Sequence, residues 1–181
     1  MNTPNKLTVL RMALVPVIVA VLCLGRPGTL WLYIACALFV IASLTDLLDG
    51  HLARKNNQVT NFGKFMDPLA DKLLVCSVLI CLTEWGLAPV WAVIVIVARE
   101  FAISGIRLIA AEKGIVLAAS KIAKIKTNVQ VFWVIWLMAA CPDWKIKTPV
   151  AVILMAAAVL LTIISLIDYV IKNKDIFREQ Q

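Results

Sequence analysis

A single histidine and the absence of any CxxC pair set this sequence apart from zinc and dithiol proteins. Its five cysteines, Cys23, Cys36, Cys76, Cys81 and Cys141, lie mostly in apolar runs. There they read as small side chains facing lipid or other helices. His51 reads as a solvated loop or helix-end residue. No aromatic-basic pattern suggests nucleic acid, and neither an internal repeat nor a low-complexity stretch stands out. No cleavable leader is expected, because the first apolar run is long enough to span a bilayer and lacks a convincing cleavage site. Charge is also scarce: 16% of residues are charged and 62% are hydrophobic, with a mean hydropathy of +0.91. Soluble domains are closer to half apolar. One core of a 181-residue chain cannot bury this much apolar surface, so lipid must cover part of it.

Six apolar runs are candidates for spans: about 7–25, 31–52, 65–83, 88–110, 127–141 and 149–171. The fifth is short and is expected to begin earlier, within a Lys-rich stretch. Turn signals separate the first pair (Gly25 to Gly28), the third and fourth (Gly86 to Pro89) and the last pair (Pro142 to Pro149). The pattern predicts one all-α domain over 1–181, a polytopic membrane bundle of six transmembrane helices. The net charge of +7 is unevenly placed. The three turn links carry only Arg26, Lys145 and Lys147 as cations. The opposite side carries Lys6 and Arg11, then Arg54, Lys55 and Lys64, then Lys113, Lys121, Lys124 and Lys126, and finally Lys172, Lys174 and Arg178. The basic side should face the cytoplasm, which puts both termini there.

Against this background four aspartates stand out: Asp46, Asp49, Asp67 and Asp71. Carboxylates near hydrocarbon cost several kcal/mol each unless compensated, and they mark functional sites. Asp46, Asp49, Gly50, Ala53 and Arg54 share a helical stripe, and Gly63, Asp67 and Asp71 form a second at spacing four. Two antiparallel helices can turn these stripes towards each other near the cytoplasmic surface. Oxygen-only donors then suit one or two hard cations, most simply Mg²⁺ or Mn²⁺. Gly50, Ala53 and Gly63 either permit close approach of a ligand or simply tighten helix packing. Pro68 is expected to kink or open the third span. Arg54 suits a forked contact to phosphate.

The stretch resembles the CDP-alcohol phosphatidyltransferase signature, D-x2-D-G-x2-A-R-x8-G-x3-D-x3-D. All eight fixed positions are met within 26 residues, and the family's six-helix architecture agrees with the spans. The resemblance implies transfer of a phosphatidyl group from CDP-diacylglycerol to a hydroxyl acceptor, with release of CMP. It implies that Asp46, Asp49, Asp67 and Asp71 hold two divalent ions, with Asp71 also the general base. It further implies that Gly50, Ala53, Arg54, Thr60 and Gly63 contact the CDP-lipid. A homodimer in the bacterial inner membrane, with the active site facing the cytoplasm, is implied as well.

Other segments resemble one bacterial branch of this family, whose acceptor is glycerol 3-phosphate. They are N5-K-L-T8-V-L-R11, A98-R99-E100 with Arg107, and A123-K124-I-K126-T127, where Ala123 replaces the usual Gly. A dianionic acceptor needs cations, and Arg107, Lys124 and Lys126 are the candidates to bind its phosphate. Lys121 reads as topological. Arg99 and Glu100 lie deep in an apolar span; as adjacent helical residues they are expected to find other partners, in a structural network or at the acceptor. Thr8 and Arg11 either lie near the diphosphate or anchor an interfacial helix, the latter being the expectation. Alternatives are another acceptor (phosphatidylglycerol, serine or an inositol phosphate), a divalent-cation channel or transporter, and an intramembrane prenyltransferase. A transport path would need polar groups across the whole membrane depth, whereas here they gather at one side.

Overall fold

Long apolar runs with few breakers satisfy their backbone hydrogen bonds most simply as helices, and without water they have no other single-segment option. A computed structural model, describing residues 3–25, 28–55, 61–112, 121–139 and 144–173, bears this out. Within those residues the chain is all helix and turn. The elements are α1 (Thr3–Leu24), α2 (Leu30–Lys55), α3 (Asn61–Glu84), α4 (Val90–Glu112), α5 (Lys121–Ala139) and α6 (Trp144–Lys172). Each expected span coincides with one helix, the ends of the first, fourth and fifth running one or two residues past it, and α5 starts early, at Lys121, inside the Lys-rich stretch. The helices are 19 to 29 residues long. At 1.5 Å per residue this is roughly 28–44 Å, matching a hydrocarbon layer of about 30 Å.

Only Pro149–Lys172, among the described residues, is long and apolar enough to cross a membrane by its own composition. Thr8–Leu24 and Leu30–Thr45 are apolar but shorter. Charges interrupt α3, α4 and α5. The outer surface is nonetheless apolar on every helix: Leu10, Ile41, Ile80, Ile94, Phe132 and Ile153 are all exposed. Only 22% of the apolar window of α6 is buried inside the bundle. So much exposed hydrocarbon suits a lipid surround.

The core is built from Ile18, Leu32, Phe39, Leu79, Ile96 and Trp133 with their neighbours. Helix α1 packs on α2 and α3, α5 on α6 and α2, and α4 on α6 and α3. The turn signals act as read. Gly86 has φ of 68°, a left-handed conformation that favours glycine. Its N–H donates to Thr83 O (3.0 Å) and that of Leu87 to Leu82 O (3.1 Å), a Schellman cap that stops α3. Of the two expectations for Pro68, a kink or an opening, the second is corrected: helix α3 runs on through the proline.

Candidate functional site

Helix α2 carries Asp46, Asp49, Gly50, Ala53 and Arg54 on its last turns, and α3 carries Gly63 on its first. Their side chains, and Thr60 as a whole, lie outside the described residues. The helical backbone keeps Asp46 and Asp49 at spacing three, and Asp67 and Asp71 at spacing four, as expected. Among the described residues no group of three or more metal-ligating side chains gathers. That set includes only two of the four motif carboxylates. The donor chemistry itself fits a hard divalent cation: all four side chains offer oxygen, and two lie one turn apart on α3.

Asp67 and Asp71 meet different surroundings. The carboxylate Oδ1 of Asp67 accepts a hydrogen bond from the hydroxyl of Thr8 on α1. Thr8 is only 1% exposed, and so is Arg11, one turn further along α1. The expectation of an interfacial anchor is therefore corrected: these side chains point into the bundle. Asp71 lines a cavity of about 440 Å³ between α3, α4, α5 and α6.

That cavity collects charge from three helices. Lys72 and Asp71 come from α3, Arg99, Glu100 and Arg107 from α4, and Lys124 and Lys126 from α5. Five cations thus face two carboxylates. The positions lie at the middle of α3, from the middle towards the end of α4 and at the start of α5, which the packing of the helices brings to one cavity. Tyr169, near the end of α6, also lines it, with its ring 5.9 Å from the guanidinium carbon of Arg107. This is cation–π range and steadies a side chain that can otherwise swing. The Nε of Arg107 is buried and has no hydrogen-bond partner among the described residues, leaving a donor unused.

Glu100 is the hub of the cluster. Its Oε1 accepts from Arg99 Nη1 at 3.0 Å and from Lys126 Nζ, and its Oε2 lies 3.7 Å from Lys72 Nζ. Arg99 Nη2 continues to Ser165 of α6 at 2.8 Å, and Lys72 also donates to Ser104. The expectation for Arg99 and Glu100 holds in part. They do find partners on other helices. They also bond each other, because a guanidinium is long enough to reach back around the helix. Lys126 is 2% exposed, deeper than a topological lysine should be.

The structure therefore brings Asp71, Arg107, Lys124 and Lys126 into one cavity. It adds Lys72 and Tyr169, which the sequence reading passes over. The signal for Lys72 is present: a cation inside an apolar run is as conspicuous as an acid. Nothing local marks Tyr169. Ala123, where the sequence departs from the usual Gly, lines the cavity without closing it.

A family model described as CDP-alcohol phosphatidyltransferase matches residues 1–164. A Bacillus subtilis (strain 168) protein named CDP-diacylglycerol–glycerol-3-phosphate 3-phosphatidyltransferase is 44% identical over 183 aligned residues, covering 95% of each chain. The Escherichia coli (strain K12) protein of the same name is 38% identical over 175 residues, covering 93% of this chain and 92% of its own. One from Rickettsia bellii (strain RML369-C) is 44% identical over 131 residues, covering 72% and 71%.

Proposed function

The chain belongs to the CDP-alcohol phosphatidyltransferase family, and from that premise we propose that it transfers the phosphatidyl group of CDP-diacylglycerol to glycerol 3-phosphate. The products are phosphatidylglycerophosphate and CMP. The observation that carries the choice of acceptor is the cavity beside Asp71, in which five cations outnumber two carboxylates. A neutral or zwitterionic alcohol leaves that excess unanswered; a phosphate dianion answers it.

In this reading Arg107, Lys124 and Lys126 bind the acceptor phosphate. Arg107 has the donor to spare, and Lys124, which is exposed, meets the anion at the mouth. Asp71 is the general base. It takes the proton of the attacking hydroxyl as the acceptor oxygen bonds to the phosphatidyl phosphorus and the P–O bond to CMP breaks. Gly50, Ala53, Arg54, Thr60 and Gly63 contact the CDP-lipid. Asp46, Asp49, Asp67 and Asp71 would hold Mg²⁺ or Mn²⁺, in two sites, to neutralise the diphosphate and the departing CMP oxygen.

The same reading sets the protein as a homodimer in the bacterial cytoplasmic membrane, with both termini and the site on the cytoplasmic side. The exposed apolar faces support the membrane setting, and the placement of Lys and Arg in the sequence supports the orientation. The test is an acceptor panel. Purified full-length protein receives CDP-diacylglycerol and Mg²⁺ with glycerol 3-phosphate, phosphatidylglycerol, serine or an inositol phosphate. CMP and lipid product are both measured. Turnover with glycerol 3-phosphate is expected, and turnover with another alcohol but not with it overturns the assignment.

A further inference from the structure

The acidic signature lies wholly on α2 and α3, yet one of its carboxylates is held from a third helix. Thr8 on α1 and Asp67 on α3 are 59 residues apart, and the hydroxyl of the first donates to Oδ1 of the second. We infer that Thr8 is a positioning residue for Asp67, fixing that carboxylate for cation binding. The inference rests on the metal-binding reading of the aspartates given above.

Several observations support it. Thr8 is 1% exposed, so its hydroxyl is taken out of water and needs a partner. A carboxylate offers about four lone-pair sites, and one donor on Oδ1 leaves Oδ2 and the remaining Oδ1 lone pair for a cation. A free carboxylate can turn about its last bond; one bonded to a buried hydroxyl cannot turn without giving up that hydrogen bond. Threonine suits the task because its branched side chain is stiff at χ1. Helix α1 packs along α3, so the donor is delivered by a rigid element rather than by a loop. Helix α1 thereby becomes part of the cation site although it supplies no carboxylate to it.

The experiment is Mn²⁺ titration of the purified full chain in detergent, followed by the electron paramagnetic resonance signal of free Mn²⁺. Thr8→Val keeps the shape and removes the donor. It is expected to weaken Mn²⁺ binding by roughly 10–100-fold, the usual effect of losing a hydrogen bond to a metal ligand. Thr8→Ser keeps the hydroxyl and is expected to bind nearly as the parent does. If valine prevents folding, judged by apparent melting temperature, Thr8→Ala replaces it. Parent-like binding by the folded Val or Ala variant overturns the inference, and so does equal weakening in Ser and Val. Asp67→Asn separates the two readings. If it loses Mn²⁺ while Thr8→Val does not, only the role of Thr8 falls. If Asp67→Asn also binds as the parent does, the metal-binding reading falls with it.

Discussion

Replacing Glu100 by glutamine removes one negative charge from a place where three cations converge. The amide keeps the size and shape of the carboxylate, so packing is nearly unchanged. Arg99 Nη1 at 3.0 Å and Lys72 Nζ at 3.7 Å from the carboxylate each contribute about 4–6 kcal/mol of attraction at an effective dielectric near 20. Lys126, closer still, contributes no less. Desolvation of the ions, several kcal/mol each, offsets much of this in the intact cluster. In the variant the desolvation stays and the attraction goes. Breaking a buried pair in this way typically destabilises by about 3–5 kcal/mol. For a chain of this size that is roughly a 6–20 °C fall in melting temperature. Thermal unfolding in detergent, followed by tryptophan fluorescence, measures it. The double variant Glu100→Gln/Lys126→Met removes one orphaned cation as well and should recover part of the loss, because an apolar replacement of a buried pair is often neutral. An undiminished melting temperature in Glu100→Gln, or no recovery in the double variant, refutes the account of Glu100 as the hub.

Other outcomes follow from the same cavity. Asp71→Asn should keep the fold and lower turnover by about 10²–10⁴-fold, the usual contribution of a general base, as read by CMP release. Turnover equal to the parent's removes Asp71 from that role. Arg107→Ala and Lys124→Ala should raise the glycerol 3-phosphate KM by roughly 10–100-fold, the worth of one charged hydrogen bond, with the CDP-diacylglycerol KM little changed. The opposite split misplaces the acceptor phosphate.

Much of this was legible in the chain because the relevant patterns are local. Apolar runs mark the helices, Gly86 marks the end of α3, and spacings of three and four put the aspartates on helical stripes. Lys124 and Lys126 were legible for the same reason, standing at the start of a helix among other lysines. What local pattern does not carry is which helices become neighbours. The hydrogen bond from Thr8 to Asp67 joins positions 59 apart, and Arg99 reaches Ser165 across 66. Tyr169 is an ordinary aromatic until α6 packs on α4 and sets its ring against Arg107. Arg99 and Glu100 show the limit of helical geometry as a guide. Spacing correctly denies that neighbours share a face, but the reach of a guanidinium overrides it.

Helix α3 presents Asp67 to α1 and, one turn later, Asp71 to the cavity shared with the last three helices. Four residues of helix advance about 6 Å. In the proposed function that spacing is a ruler between the cation site at Asp67 and the cavity that takes the acceptor. Adding one residue between the two acids would swing the second by about 100° around the axis while leaving the first in place. Each site would then keep its shape, but the two reactants would be aligned to different coordinates and would no longer meet.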